Sequence, residues 1–187
     1  PVIWSREVTK GGLVRAAILN SGGANACTGP DGFVDTHRTA EKIAELLQVS
    51  SGEVVVCSTG LIGERLPIEK ILDGAEKLSK KLEGGVLEDV ARSIMTTDSV
   101  PKMAHNEFQG VQTVGVAKGA GMLAPTLATM LSVIMTDAIL PANAQEIFAR
   151  VTDRTFNRID SDGCMSTNDT VLLMSSGASM VELSSDD

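Results

Sequence analysis

The apolar positions of the chain follow two different patterns. Short runs that are rich in β-branched or alternating apolar residues predict strands, and they lie at residues 13–19, 53–57, 111–117, 131–135 and 170–174. Apolar residues at helical spacing predict helices after Asp35, from Pro67 to Leu82, from Leu87 to Ile94, and after Pro141. This succession of strands and helices fits an α+β fold and fits a doubly wound sheet equally well.

Two details of this pattern concern the ends of elements. Residues 29–32, Gly-Pro-Asp-Gly, are typical of a turn, and Asp35 or Thr36 can cap the free amides at the start of the helix that follows. The polar and acidic residues 182–187 predict a frayed tail.

The composition narrows the classes of partner. Aromatic residues make up only 3% of the chain, so a stacking platform for single-stranded nucleic acid is not expected. The net charge of −8 repels phosphate backbones and anionic membranes, and no apolar run reaches the ~18 residues of a membrane span. We therefore expect a cytoplasmic protein that binds small molecules or other proteins, with no nucleic-acid and no membrane partner.

The cysteines and histidines give no sign of a metal site or a disulfide framework. Cys27, Cys57 and Cys164 are widely spaced and lack a C-x-x-C pair. Cys57 ends an apolar strand and is interpreted as a small core residue. His37 and His105 are isolated in polar stretches, and neither lies in a sequence that suggests a Ser-His-Asp triad.

Three glycine-rich loops each follow a predicted strand, at residues 20–29, 57–63 and 118–125. Backbone N–H groups at such strand ends can face a ligand, although each loop alone fits an ordinary tight turn. The third loop contains the spacing G-x-G-x-x-A of a dinucleotide site, but Pro125 removes a donor where a helix would have to begin. Lys118 precedes the glycines, so the loop is not a Walker motif either.

Thr129 is the candidate nucleophile. It lies between the third loop and an apolar strand, flanked by small residues. If the peptide bond before it is cut, the new α-amine has a pKa near ~8 and can act as the base for the hydroxyl. Without that cut, Thr129 is an ordinary threonine at the start of a strand.

Six ordered segments resemble the ornithine acetyltransferase, or glutamate N-acetyltransferase, family. The matching stretches are residues 20–29 (NSGGANACTG), 57–63 (CSTGLIG), 95–98 (MTTD), 117–125 (AKGAGMLAP), 128–131 (ATML) and 162–170 (DGCMSTNDT). The resemblance covers the middle of that family, whose members are considerably longer. It implies an α+β fold with sheets sandwiched between helix layers, incomplete in this chain.

The resemblance also implies roles for particular residues. Members of the family cut themselves between the residues that match Ala128 and Thr129, and the freed threonine then carries the acetyl group. The pair that matches Thr59 and Gly60 forms the oxyanion hole. Residues that match Lys118, Thr97 and Thr96 contact the substrate, and a lysine suits the carboxylate of an amino acid.

The implied reaction moves an acetyl group from N-acetylornithine to glutamate in two steps, in arginine biosynthesis. No cofactor is implied; some members also use acetyl-CoA as donor, and these residues do not decide that point. Residues 1–187 would be one catalytic-domain fragment, in which 1–128 match the end of the α chain and 129–187 the start of the β chain of a heterotetramer.

Two further expectations follow from the resemblance. Additional substrate-binding residues of the family lie beyond the position of Asp187, so the 187-residue piece is expected to be inactive alone. The alternative reaction is that of the self-cleaving aminopeptidases and amidohydrolases with the same fold, in which water resolves the acyl-threonine. A dinucleotide-binding or interaction module that uses the Lys118 loop is the non-enzymatic alternative.

Overall fold

The computed structural model describes residues 1–82, 84–126 and 129–184. The chain forms two compact units, Pro1–Thr96 and Thr97–Asp187. Each unit combines helices with a β-sheet, and the larger sheet contains antiparallel strands. The fold class is therefore α+β, as expected from the resemblance, because antiparallel neighbours rule out a doubly wound parallel sheet in this unit.

In its described residues, 1–82 and 84–96, the first unit consists of four α-helices and a two-stranded parallel sheet. Its elements are α1 (Val2–Thr9), β1 (Ala16–Asn20), α2 (Gly29–Leu47), a 3-10 turn (Ser51–Glu53), β2 (Val54–Ser58), α3 (Ile68–Ser79) and α4 (Leu87–Ser93). Strand β1 pairs in parallel with β2, from Ala16 opposite Val54 to Asn20 opposite Ser58. Both strands therefore end at the same edge of the sheet, where the glycine-rich loops begin.

The core of the first unit forms where α2 packs against both β2 and α3. Every residue of β2 is buried, as its run of valines predicted. The cluster of buried apolar side chains consists of Ala40, Ile43, Ala44, Val54, Val56 and Ala75. Cys57 is also buried, which confirms its interpretation as a core residue.

Helix α1 is an element that the pattern analysis missed. The hydroxyl of Ser5 accepts a hydrogen bond from the Val56 N–H at 2.9 Å and donates one to the Val56 carbonyl at 2.6 Å. The Trp4 indole N–H donates to the Val54 carbonyl at 2.9 Å. These side chains pair with backbone groups of β2, so the helix is fixed by tertiary contacts that no local pattern shows.

Helix α2 begins earlier than predicted. It starts at Gly29, so the turn expected at residues 29–32 is in fact its first turn, and neither Asp35 nor Thr36 is the N-cap. Pro30 fits there because the first helical N–H groups have no intrahelical partner. Gly32 is explained by space, since a Cβ would lie 1.9 Å from the Thr28 hydroxyl.

The part of the second unit that the structure describes contains a four-stranded sheet and one α-helix. Its elements are β3 (Lys102–Phe108), β4 (Val111–Lys118), β5 (Leu131–Thr136), α5 (Ala144–Arg154), a 3-10 turn (Phe156–Arg158) and β6 (Thr170–Ser175). The strand order is β3-β4-β5-β6, with antiparallel pairing except between β5 and β6, which are parallel. Parallel pairing places the residues before β5 beside the residues before β6, from Leu131 opposite Thr170.

The sequence predictions of the second unit hold for three strands and one helix. Strands β4, β5 and β6 lie where they were predicted, and the helix expected after Pro141 begins at Ala144. Strand β3 was missed. The tail prediction is wrong in part, because Leu183 donates to the Ile139 carbonyl at 3.1 Å and Glu182 forms a β-bridge with Ile139; residues 185–187 lie outside the described residues.

Among the described residues, no helix combines the length and the apolarity needed to cross a bilayer.

Candidate active site

Thr129 lies in the second unit, two residues before β5. Its backbone N–H donates to the Met122 carbonyl at 2.7 Å, and its own carbonyl accepts from Lys118 Nζ at 3.4 Å. The Thr129 hydroxyl is buried and has no hydrogen-bond partner among the described residues. A buried hydroxyl without a hydrogen-bond partner destabilises the folded protein. A group that is retained despite this cost is a candidate for a functional role. Ala128, on the other side of the expected cleavage bond, lies outside the described residues.

Lys118 is the buried cation of this site. It is the last residue of β4 and is only 1% exposed. Burial lowers the pKa of its ammonium group, while the carboxylates of Asp98 and Asp169 act in the opposite direction. The site therefore holds a positive charge in a poorly hydrated place, where it can attract the carboxylate of a small ligand.

The Asp98 side chain binds the segment that contains Thr97 to the backbone just after the end of β4. Its carboxylate accepts a hydrogen bond from the Gly119 N–H at 2.7 Å and pairs with the Lys102 ammonium group. Because Thr97 directly precedes Asp98 in the chain, the structure brings it to the same end of β4 as Lys118. Thr97 is exposed; Thr96 is the last residue of the first unit.

Asp169 is a further residue of this site. It lies in the matching stretch 162–170, but the family resemblance assigned it no role. Its carboxylate accepts a hydrogen bond from the Met130 N–H at 3.1 Å, and the next N–H, of Thr170, donates to the Met130 carbonyl at 3.0 Å. Burial raises the pKa of Asp169 to about 6, while the Met130 hydrogen bond and the charge of Lys118 act against that rise. The sequence signal that could have identified Asp169 is its position directly before the strand predicted at residues 170–174.

The glycine-rich loop after β4 is fixed by a second aspartate. Asp162 accepts from the Met122 N–H at 2.7 Å and from the Cys164 N–H at 3.1 Å. These backbone hydrogen bonds lower the pKa of the Asp162 carboxyl. Met122 is in turn the acceptor for Thr129, so Asp162 supports the nucleophile candidate indirectly. No helix begins in the described residues 119–126, which agrees with the argument against a dinucleotide site.

Thr59 and Gly60 lie in the first unit, in the turn after β2. Thr59 is buried, and its N–H donates to the Asn20 carbonyl at 3.0 Å. Gly60 has φ +128°, and a Cβ there would lie 2.3 Å from the carbonyl carbon of Gly22. No acceptor for the Gly60 N–H is found in the described part of the chain. The two glycine-rich loops of this unit thus pack against each other.

The two histidines have structural surroundings. His37 packs edge-on against the Trp4 ring, with ring centroids 4.3 Å apart, and also contacts Phe33. His105 lies on the exposed strand β3, where its Nε2 is 2.6 Å from the side-chain oxygen of Gln112. The contacts given for the two rings are with Trp4, Phe33 and Gln112, none of which is a nucleophile.

Comparisons with known proteins agree with this description. The model of the ArgJ family matches residues 1–187. The "Arginine biosynthesis bifunctional protein ArgJ" of Streptomyces avermitilis is 58% identical over 182 residues, covering 97% of this chain and 48% of the relative. The protein of the same name from Mycobacterium leprae is 55% identical over 188 residues, covering 96% and 46%. The chain therefore spans about half the length of the curated relatives it matches.

Solved structures show the same likeness. Ornithine acetyltransferase from Mycobacterium tuberculosis, complexed with ornithine, is 45% identical with a TM-score of 0.58, over 67% of this chain and 69% of that one. The argJ protein of Bacillus halodurans is 33% identical with a TM-score of 0.59, over 70% of each chain. By sequence and by structure, the chain belongs to the ArgJ family.

Proposed function

We propose that the complete protein transfers the acetyl group of N-acetylornithine to glutamate through an acetyl-Thr129 intermediate. The observation that carries this proposal is the buried, unpartnered hydroxyl of Thr129 beside the buried ammonium group of Lys118. It is supported by the relatives, which are named for arginine biosynthesis, and by the ornithine that one solved relative binds.

The first proposed step is self-cleavage before Thr129. The Thr129 hydroxyl adds to the carbonyl carbon of Ala128, and the C–N bond breaks as the Thr129 nitrogen takes up the hydroxyl proton. Water then hydrolyses the resulting ester, which leaves a carboxylate on Ala128 and a free α-amine on Thr129. An amine with a pKa near ~8 is about half in its neutral, basic form at that pH, and the basic fraction grows as the pH rises further.

The proposed transfer then takes place in two halves. The Thr129 amine accepts the hydroxyl proton while the hydroxyl oxygen attacks the acetyl carbonyl of N-acetylornithine. The tetrahedral oxyanion collapses, and the amine returns the proton to the leaving nitrogen of ornithine. Glutamate then attacks the acetyl-threonine with its neutral amino group, and the same proton transfers release N-acetylglutamate and regenerate Thr129.

The remaining residues have supporting roles in this proposal. The Thr59 hydroxyl and the Gly60 N–H would stabilise the oxyanion; the burial of Thr59 and the N–H of Gly60 without an acceptor among the described residues support that assignment. Lys118 would bind a substrate carboxylate, with Thr97 and Thr96 as further contacts. The reaction needs no cofactor, and acetyl-CoA remains a proposed second acetyl donor. The cleaved chains would assemble as a heterotetramer in the cytoplasm.

The test is the replacement of Thr129 in the full-length protein. Thr129→Ala should remain a single chain in intact mass spectrometry and should lose at least ~1000-fold in acetyl transfer, because both the cleavage and the intermediate need its hydroxyl. Thr126→Ala is the matched control, since Thr126 is an exposed threonine of the same loop. The control should yield two chains and retain activity. Transfer by an uncleaved Thr129→Ala protein would contradict the proposal.

The same preparation separates transfer from hydrolysis. N-acetylornithine is supplied with and without glutamate, and free acetate and N-acetylglutamate are both measured. The proposed transferase should form N-acetylglutamate and little acetate. Acetate release that is indifferent to glutamate would identify the hydrolase alternative instead.

A further inference from the structure

The backbone around Thr129 is held on both sides by hydrogen bonds. On its amino side, the Thr129 N–H donates to the Met122 carbonyl at 2.7 Å. On its carboxyl side, the Met130 N–H donates to Asp169 at 3.1 Å, directly before β5 and β6 pair in parallel. The Asp169 carboxylate therefore accepts from the N–H of the peptide bond that joins Met130 to Thr129, the residue whose buried hydroxyl has no partner among the described residues.

Cleavage changes the importance of these two contacts. Once the bond before Thr129 is cut, Thr129 becomes a chain terminus that is covalently attached only through Met130. Terminal residues fray unless they are tied down, and the nitrogen that bonded to Met122 becomes the proposed base. The hydrogen bond from the Met130 N–H to Asp169, together with the one from Lys118 Nζ to the Thr129 carbonyl, then holds Thr129 on the attached side of the chain.

Asp169 also faces the buried charge of the site. The charged group that acts on Asp169 is Lys118, at the end of β4. Asp98 and Lys102, the first residue of β3, act in turn on Lys118. Asp98 already accepts from the Gly119 N–H and pairs with Lys102. Asp169 accepts from the Met130 N–H, and its negative charge acts on the Lys118 ammonium group.

We propose that Asp169 is a positioning residue for the acyl transfer: its carboxylate holds the Met130 peptide, and hence the Thr129 terminus, and its charge keeps the Lys118 ammonium group ready for the substrate. This inference rests on the proposed function. Asp169 does not touch the reacting atoms in this assignment; it acts through Met130 and Lys118.

The test compares two variants of Asp169 in the full-length, cleaved protein. Asp169→Asn retains an oxygen that can accept from the Met130 N–H but removes the charge, whereas Asp169→Ala removes both. At pH 8 we expect kcat/KM to fall ~10-fold in the asparagine variant and ~100-fold in the alanine variant, the range for loss of a hydrogen bond to a charged group. A failure of Asp169→Ala to cleave, with its melting temperature unchanged, also supports the proposal.

The pH profile gives a result that a merely structural role would not produce. The Thr129 amine must be neutral, so log(kcat/KM) should fall with a slope of about one below pH ~8. Because the pKa of Asp169 is raised to about 6, the ionised carboxylate is lost below that pH, and the wild-type slope between pH ~6 and ~5 should exceed one as the ~10-fold advantage over Asp169→Asn disappears. In Asp169→Asn the slope should remain about one down to pH ~5. Equal slopes in both proteins would overturn the proposal.

Asp137→Ala is the matched control for these variants. Asp137 directly follows β5, the strand that Met130 directly precedes. Like Asp169, Asp137 accepts a hydrogen bond from a backbone N–H, that of Gln112, at 2.9 Å. It should retain wild-type kinetics and the steeper acidic slope. If Asp137→Ala lowers kcat/KM as much as Asp169→Ala, Asp169 is only a structural carboxylate. A Thr129→Ala protein with undiminished transfer would instead show that the proposed function itself has failed.

Discussion

At the scale of single residues, Gly60 shows how closely the two loops of the first unit pack. Its φ of +128° is unfavourable for residues with a Cβ. A Cβ would also lie 2.3 Å from the carbonyl carbon of Gly22 and 2.5 Å from its oxygen, so backbone would have to move. These two effects can be separated, because other glycines of the same unit have only one of them or neither.

We predict that Gly60→Ala lowers the free energy of unfolding by at least ~3 kcal/mol. Gly63→Ala should cost only ~1 kcal/mol, because Gly63 has φ +88° but open space around it. Gly85→Ala should change stability by less than ~0.5 kcal/mol, because Gly85 has neither restriction. Urea unfolding of the three variants checks the order, and similar losses for Gly60→Ala and Gly63→Ala would contradict the packing argument.

The site residues divide according to what their sequence neighbourhood can reveal. Thr129 and Lys118 were predicted from a strand-loop-strand pattern and a family resemblance, and the structure brings them within 3.4 Å. The contacts of Asp98 and Asp169 with Gly119 and Met130 span 21 and 39 residues of sequence. Such contacts depend on strand pairing, which the apolar pattern does not specify.

At the scale of elements, helix α2 is attached to the loop before α3 by a charged pair. The Arg65 guanidinium donates from Nε and Nη2 to the two oxygens of Asp35, at 3.1 and 2.9 Å. The Asp35 side chain is 1% exposed, whereas that of Arg65 is 52% exposed. Most of the cost of breaking this pair therefore comes from leaving a buried carboxylate without its partner.

We predict that Arg65→Ala lowers the free energy of unfolding by clearly more than a break between exposed partners does, because it leaves the buried Asp35 carboxylate without this partner. Adding Asp35→Asn should restore part of the loss, because the buried charge is then gone. The matched control is Arg38→Ala, which breaks a pair between α2 and α3 with exposed partners and should cost less than ~1 kcal/mol. Equal losses for the two arginines, measured by urea unfolding, would contradict this argument.

Strand β3 and helix α1 were missed because neither shows a regular apolar pattern in the sequence. All seven residues of β3 are exposed, so the strand has no buried face to produce an apolar alternation. Its hairpin turn, Gln109-Gly110, has positive φ at both residues but only one glycine to indicate it. Helix α1 is fixed by Ser5 and Trp4 against β2. By contrast, β2 and α2 bury large apolar faces and were predicted from them.

At the scale of the whole molecule, charge and length restrict what the chain does alone. The net charge of −8 repels phosphate polymers from most of the protein surface. The cations of the described site, Lys118 and Lys102, are therefore suited to small anionic ligands. The chain also spans only 46–48% of the length of its curated relatives. The relatives therefore contain a comparable length of additional sequence that this chain does not match.

We predict that the isolated 187-residue chain does not transfer acetyl groups from N-acetylornithine to glutamate, whereas the full-length protein does. The physical reason is that oriented binding of a small charged substrate needs groups on several sides of it, and the resemblance assigns some of these groups to later sequence. Formation of N-acetylglutamate is measured for both proteins at equal concentration, with full-length Thr129→Ala as the background. Turnover by the isolated chain above that background would mean that the 187 residues contain a complete site.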